Sequence, residues 1–398
     1  MIVGAGHNQV PYIERAKRLG LLTIAVDGNP EAPGLALADI SEIIDIRDAE
    51  AMLRTAERLR VDAIYPSAEV GIETAAIVSS RLGLSGISPE TARRVRHKGA
   101  MRQALDAALI KSNPPFAVVS HLPGALEAAA EIGFPLIVKP ADGRASRSVA
   151  KVETEEELEV AFRNALDASY SHEVLIERFM EGKEVSVEAL VFNGEVIPVA
   201  VTGRIVSDPP YRFNLGLYVP ADLTPEETKS AEQLTAECLR AVGLTNGLTH
   251  TEVLFTQDGP RIVEIAGRLG GGRIATDLVP LAYGVDLATE SIKMISTGRK
   301  PAVRHQYRRG AALLWFFPPA GQLAKLPSLD AARRMAGVED IVWHVREGGY
   351  LPRAVDCISR DQIGYVIASG STAEKAIATA RKAKELVEES LQVTPADR

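Results

Sequence analysis

A stretch of 27 residues, GLTHTEVLFTQDGPRIVEIAGRLGGGR (247–273), constrains the fold of this chain more than any other. It predicts a hairpin of two strands, Leu248–Thr256 and Arg261–Ala266, closed by a three-residue loop. Because side chains alternate along a strand, this register places Glu252 opposite Glu264 on one face of the sheet. Facing carboxylates repel each other, and a Mg²⁺ ion that bridges nucleotide phosphates would remove the repulsion. The alternative is a solvent-facing hairpin with charged rungs.

The segment after the hairpin adds donors beside this pair. Arg268 follows Glu264 by four residues, and the next residues, Leu269–Arg273, include three consecutive glycines. An arginine fork and an open backbone therefore lie next to the proposed metal site.

Residues 1–88 alternate short apolar strands with helices, which predicts a parallel sheet covered on both faces. The first strand leads into Gly4-Ala5-Gly6, and a later strand ends at Asp27. A nicotinamide-dependent oxidoreductase, with Asp27 on the ribose, is therefore an alternative. The third glycine of that fingerprint is absent, so only one GxG supports it.

Three segments between residues 88 and 190 present groups suited to a nucleotide. Ser88 and Pro89 predict the start of a helix, which a glycine interrupts at Gly99 beside Lys98. A strand then delivers Lys139 to the polar loop 141–148, whose backbone N–H groups can cradle phosphates.

The third segment is a strand that ends at Glu177 and is followed by a turn to Glu184. Such a strand end can hold a flat base through main-chain hydrogen bonds. The alternative is a β-hairpin with charged ends.

Composition excludes several classes of function. The 398 residues suffice for two or three domains, and the net charge of −7 argues against nucleic acid as a partner. No apolar run reaches the length of a membrane span. Cys238 and Cys357 show no metal-binding spacing, and both suit a reducing cytoplasm.

Taken in order and spacing, these motifs resemble the ATP-grasp superfamily, and the part from Gly310 onward resembles the terminal domain of bacterial L-amino acid ligases. The resemblance implies an α/β fold in three parts. An N-terminal parallel α/β domain would span 1–88, an ATP-grasp domain 89–300 with a small lid at about 115–190, and a C-terminal α+β ligase domain 301–398.

The resemblance also implies a role for each motif residue. The ATP phosphates would be contacted by Lys98, Lys139 and the loop around Ser146, the adenine by Glu177 and the Phe179 backbone, and the ribose by Glu184. The Mg²⁺ would be bound by Glu252 and Glu264, and the transferring phosphoryl group by Arg268. The second substrate would lie against Gly271 and Gly272.

Three features depart from the family pattern. Ala266 replaces the usual asparagine two residues after the second metal carboxylate. Arg144 and Ser148 occupy loop positions where glycine is common. The segment Asn214–Tyr218 lacks the glutamate and histidine that amino acid ligases carry there, which predicts poor use of ordinary α-amino acids as the phosphorylated partner.

The implied function is an ATP- and Mg²⁺-dependent carboxylate–amine ligase that forms an amide through an acyl phosphate and releases ADP and phosphate. Mn²⁺ is a second candidate ion. The expected partners are a small carboxylate and a small amine, including an amino acid, in a cytoplasmic protein that binds neither nucleic acid nor membrane; a homodimer stays open. The alternatives are a biotin carboxylase-like reaction, a purine-pathway ligase, or a nucleotide-binding protein without turnover.

Overall fold

The structure, a computed structural model, describes residues 1–208, 213–303 and 306–395. Its strands are β1 (Ile2–Val3), β2 (Ile24–Asp27), β3 (Ile40–Ile43), β4 (Tyr65–Pro66), β5 (Phe116–Val119), β6 (Leu136–Pro140), β7 (Ala150–Val152), β8 (Val174–Arg178), β9 (Lys183–Phe192), β10 (Glu195–Val206), β11 (Asn214–Val219), β12 (Gly247–Thr256), β13 (Gly259–Ala266), β14 (Gly310–Trp315), β15 (Gly321–Lys325), β16 (Val338–Trp343), β17 (Tyr350–Leu351), β18 (Gly364–Gly370) and β19 (Gln392–Pro395).

Its helices are α1 (Val10–Arg18), α2 (Ala49–Arg58), α3 (Ile72–Arg81), α4 (Pro89–Arg96), α5 (Lys98–Ala107), α6 (Leu122–Ile132), α7 (Glu155–Ala168), α8 (Pro225–Ala241), α9 (Val279–Tyr283), α10 (Leu287–Thr297), α11 (Asp330–Arg333), α12 (Cys357–Asp361) and α13 (Ala373–Glu389). None of the described helices is long and apolar enough to cross a membrane.

The N-terminal sheet has the order β3-β2-β1-β4, and all its pairings are parallel, as the strand–helix alternation predicts. Asp27 ends β2, and its carboxylate accepts hydrogen bonds from the backbone N–H of Ala5 at 2.8 Å and of Asn29 at 2.9 Å. These bonds hold the Gly4–Gly6 turn, so the structure gives Asp27 a role within its own loop.

The smaller of the two central sheets is antiparallel, with the order β5-β8-β6-β7, and α6 and α7 cover it. Thr154 caps α7, whose first turn is acidic, as predicted. This sheet lies within the range predicted for the lid, whereas β9 belongs to the larger sheet. The domain boundaries themselves stay a prediction.

The large sheet has eight antiparallel strands in the order β13-β12-β9-β10-β11-β14-β18-β16. It joins the predicted ATP-grasp part to the C-terminal part, because β11 pairs with β14. A separate three-stranded sheet, β17-β15-β19, lies at the C-terminal end. The helix α8 begins with a capping box at Thr224 and buries Cys238 as a free thiol.

The hairpin has the predicted facing carboxylates but a different loop. Thr256 pairs with Gly259, so the closing turn has two residues and not three, and Gly259 has a φ of +96°. The register shifts between Glu252 and Val253, which adds one residue to β13 at a β-bulge. The bulge restores the predicted register, and Glu252 pairs with Glu264.

The sequence predicted a helix break at Gly99, but the break before α5 lies at His97. His97 adopts an extended conformation, and its Nδ1 accepts a hydrogen bond from the Ala100 N–H at 3.2 Å, so it caps α5. Gly99 lies inside the first turn, where an added Cβ would be 2.7 Å from Val118 Cγ2. Gly99 therefore lets α5 approach β5 closely.

Arg102 on α5 is fully buried and connects three elements. Its guanidinium donates to Glu177 at 3.0 Å and to the main-chain oxygens of Ile262 and Val263 at 3.0 and 2.9 Å. It also donates to Asn113 Oδ1 at 3.2 Å. Through this side chain, α5 connects the end of β8 to the hairpin strand β13.

We expect Arg102→Met to lower the free energy of unfolding by about 3 kcal/mol, the lower end of the range for a broken buried ion pair, since Lys139 still faces Glu177. Urea denaturation measures the change. The control is Arg58→Met, an exposed arginine paired with Glu42, for which the expected change is below about 1 kcal/mol. Equal changes for the two variants would contradict a special role for Arg102.

Candidate active site

One cavity of about 500 Å³ lies between the N-terminal sheet, the small central sheet and the large sheet. Every residue that the sequence assigned to a site lines it: Lys98, Lys139, Ser146, Glu177, Phe179, Glu184, Glu252, Glu264, Arg268, Gly271 and Gly272. The structure thus brings together residues that span 175 positions of the chain. Their individual roles stay predictions.

The facing carboxylates are each held by a cation. Glu252 Oε1 lies 2.5 Å from Arg204 Nη2, and Glu264 Oε1 lies 3.0 Å from Lys98 Nζ. Burial would raise the pKa of Glu252, but Arg204 and His250 outweigh burial and hold that pKa well below its usual range. Glu252 is therefore arranged as an anion, which is the state a divalent cation requires.

Lys98 and Lys139 are buried, and neither is a solvated surface lysine. Lys98 Nζ donates to the Gly143 carbonyl at 2.8 Å, at the start of the phosphate loop. Lys139 forms an ion pair with Glu177. Burial lowers the pKa of Lys139, and Glu177 opposes that effect.

Two predicted adenine contacts already have partners within the protein. The Glu177 carboxylate is only 3% exposed and lies between Lys139 and Arg102, so it orients these two cations. The Phe179 N–H donates to the Pro135 carbonyl at 3.0 Å, so this donor is occupied. The next residue, Met180, also lines the cavity. The adenine roles of Glu177 and Phe179 stay predictions.

The phosphate loop has strained backbone at non-glycine residues. Ala145, Ser146 and Ser148 have φ values of +57°, +60° and +55°, a region that costs an L-residue roughly 1–2 kcal/mol. The sequence flagged Ser148 as a position where glycine is common. The Ala145 carbonyl accepts a hydrogen bond from the Cys357 N–H at 3.2 Å, so the start of α12 helps to hold this conformation.

Arg268 leaves β13 toward the N-terminal domain. Its Nε lies 2.5 Å from a carboxylate oxygen of Glu69, and its Nη1 donates to the Leu269 carbonyl at 2.9 Å. Glu69 belongs to a short 3₁₀ turn that directly precedes α3. The predicted phosphoryl ligand is therefore positioned by a residue almost 200 positions earlier.

A buried network that sequence reasoning missed supports the glycine loop. Glu188 is fully buried, forms an ion pair with His250, and accepts a hydrogen bond from the Gly270 N–H at 2.8 Å. Burial lowers the pKa of His250, but Glu188 outweighs burial and raises that pKa to about 9. His250 also lies 3.5 Å from Glu252.

A signal for this network is present in the sequence. Glu184, Ser186 and Glu188 alternate with apolar residues along β9, and His250 and Glu252 alternate along β12. His250 pairs with Glu188, and Glu252 with Ser186. Polar residues at every second position of a buried strand indicate a functional face.

Both the fold and the cavity define an ATP-grasp enzyme. The family model for the ATP-grasp domain matches residues 132–277, and that for the L-amino acid ligase C-terminal domain 2 matches residues 314–391. The chain belongs to the ATP-grasp ligases, the ADP-forming enzymes that make carbon–nitrogen bonds, and ends in the terminal domain of the L-amino acid ligases.

Three similar proteins illustrate the relationship. An uncharacterized protein of Sinorhizobium fredii, y4rH, is 30% identical over 390 residues, 96% of this chain and 80% of that protein. Alanine–anticapsin ligase of Bacillus subtilis is 26% identical over 276 residues, 63% of this chain and 57% of that enzyme. The structure of an L-amino acid ligase from Bacillus licheniformis matches with a TM-score of 0.83 at 21% identity, covering 100% of this chain and 98% of that one.

We expect Glu188→Ala to lower kcat/KM about 10-fold or more, because it leaves the buried Gly270 N–H without an acceptor. Hydrogen exchange of the segment 268–273 should become faster in this variant. Glu188→Gln is the matched control, since its amide oxygen can still accept from Gly270. Unchanged exchange in Glu188→Ala would show that the glycine loop does not depend on this carboxylate.

Proposed function

We propose that this chain is an ATP- and Mg²⁺-dependent ligase that joins a small carboxylate to an amine through an acyl phosphate, with release of ADP and phosphate. The observation that carries the proposal is the pair Glu252 and Glu264, facing each other beside Lys98 and Arg268 in one cavity. Phosphoryl transfer needs positioning and electrostatic stabilisation above all, and these groups supply both.

The two carboxylates fit Mg²⁺ as a partial ligand set. They are oxygen donors on one sheet face, and among the described residues no cluster of three or more His, Cys, Asp or Glu side chains could hold a metal ion alone. Mg²⁺ usually completes such a set with phosphate oxygens and water. When bound, it neutralises the phosphate charge.

The surrounding residues bind and orient the reactants. Lys98 and Lys139 hold phosphate oxygens, and the Lys139 ammonium is kept in place by Glu177. Arg268, oriented by Glu69, stabilises the charge on the transferring phosphoryl group.

The remaining nucleotide contacts lie at the other end of the cavity. Glu184 binds the ribose, and the backbone around Met180 binds the adenine. The phosphate loop closes over the nucleotide and excludes water from the acyl phosphate.

The amine is proposed to be an amino acid, which the terminal-domain match and the name of alanine–anticapsin ligase support. That match also favours this function over a biotin carboxylase-like or purine-pathway reaction. Two features favour the alternative of a nucleotide-binding protein without turnover: the strained backbone of the phosphate loop, and Ala266. The use of Mn²⁺, the cytoplasmic location and a homodimer stay predictions.

The test is to trap the intermediate. With ATP, Mg²⁺, a panel of carboxylic acids and hydroxylamine as the amine, we expect a hydroxamate and stoichiometric ADP. The panel should contain amino acids and acids without an amino group. Formation of AMP and pyrophosphate would overturn the proposal, and ATP binding without any hydroxamate would favour the protein without turnover.

We expect Glu264→Gln to lower kcat on the order of 10²-fold or more, because the amide is a weaker metal ligand and carries no charge. The Mg²⁺ dependence of ADP formation measures the change. Glu339→Gln, which removes an exposed carboxylate paired with Arg309 outside the cavity, is the control. Near-normal activity of Glu264→Gln would show that the hairpin does not hold the metal.

A further inference from the structure

The cavity has a charge opposite to that of the whole chain. The protein carries a net charge of −7, but the cavity-lining residues that the structure describes include nine Lys or Arg and six Asp or Glu. Basic clefts of this kind concentrate anions. The phosphates of the nucleotide would balance part of this excess positive charge, and the remaining cations are available to a second anion.

The carboxylates of the cavity are occupied by the protein's own cations. Five of the six form ion pairs: Glu69 with Arg268, Glu177 with Lys139, Glu252 with Arg204, Glu264 with Lys98, and Asp361 with Arg360. The sixth, Glu184, is the proposed ribose ligand. In the described part of the cavity wall, the glycine-loop end therefore offers no carboxylate outside an ion pair to bind an ammonium group.

Arg204 is a cation at this end with a donor to spare. Its side chain is 8% exposed, and Nη2 donates to Glu252 at 2.5 Å and contacts His250 Nε2 at 3.1 Å. Its Nε is buried and has no hydrogen-bond partner among the described residues. A buried guanidinium with an unused N–H is costly unless a ligand oxygen completes it.

Apart from Glu252 and Glu184, whose carboxylates interact with Arg204 itself, the described wall beside Arg204 is apolar or cationic. Leu217 pairs with Arg204 across β10 and β11, and Trp315 carries Arg360 stacked at 3.5 Å over its ring. Arg360 in turn donates to the Asn214 main-chain oxygen at 2.8 Å. Such a wall suits a carboxylate with a neutral substituent and repels an ammonium group.

We propose that Arg204 binds the carboxylate of the acid substrate, and that this acid carries a neutral group, such as hydroxyl, oxo or hydrogen, in place of an α-ammonium group. The inference rests on the proposed ligase function and specifies its acid. The carboxylates at this end of the cavity already pair with cations or are proposed to bind the ribose, so the ammonium group of an amino acid would have to compete for them, whereas a simple carboxylate completes the Arg204 donor set.

The wild-type experiment compares acids that share a carbon skeleton. L-alanine, L-lactate, pyruvate and propionate form one set, and leucine with its 2-hydroxy, 2-oxo and unsubstituted analogues forms a larger one. With ATP, Mg²⁺ and hydroxylamine, we expect kcat/KM for hydroxamate formation to be at least about 10-fold higher for the best neutral-substituent acid than for the amino acid of its set. Calorimetric titration of the ADP-loaded protein with the same acids should give the same order of affinity.

The variant experiment identifies the residue. Arg204→Gln should raise the KM and the dissociation constant of the acid about 10-fold or more. The KM of ATP should rise by a smaller factor, because Glu252 loses its counter-ion. Arg204→Lys keeps the positive charge and so controls for a folding defect. Its KM for the acid should lie between the values of the wild type and Arg204→Gln. Arg309→Gln, an exposed arginine outside the cavity, is the control and should change neither constant.

The outcomes separate the two proposals. Preferred use of alanine or leucine would overturn the inference and leave the ligase function standing. A rise in the KM of ATP alone would overturn it too, because Arg204 would then serve the phosphates. Absence of hydroxamate with every acid would overturn the ligase function and the inference together.

Discussion

Two carboxylates facing each other across a hairpin dominate the electrostatics of this protein. Glu252 and Glu264 are neighbours in the sheet, and their repulsion must be balanced by cations. Arg204 from β10 pairs with Glu252, and Lys98 from α5 pairs with Glu264. The charge pattern therefore couples the folding of the hairpin to two elements that are distant in sequence, and each carboxylate has a cation as its partner.

Similar ion pairs connect the hairpin to the other parts of the molecule. Arg268 is held by Glu69, which attaches the end of β13 to the N-terminal domain. Lys139 and Glu177 repeat the arrangement in the small sheet, with Arg102 as the buried link between that sheet and β13. Each part of the molecule thus contributes at least one member of an ion pair at the cavity, which explains why residues from the whole chain meet there.

The sequence predicted the elements and the cavity residues better than their contacts. The hairpin register was predicted from a three-residue loop, whereas the loop has two residues. The predicted pairing is nevertheless correct, because the β-bulge adds one residue to β13. Glu177 was recognised by its place at a strand end, but its partners Lys139 and Arg102 lie 38 and 75 positions away and follow from tertiary packing alone. The Glu188–His250 pair was missed because it depends on the register between β9 and β12, which no local pattern defines.

The departures from the family pattern have a common physical meaning. Where relatives place an asparagine near the metal, this chain has Ala266, which pairs with His250 and so lies beside the buried Glu188–His250 network. Neither Asn214 nor Leu217 carries a carboxylate, and Arg204, which pairs with Leu217, has a buried Nε without a hydrogen-bond partner among the described residues. Groups that would bind a metal or an ammonium group are thus absent at both places. The site keeps the charges that the proposed phosphoryl transfer needs, and the acid that we propose for it differs from an amino acid in its charge.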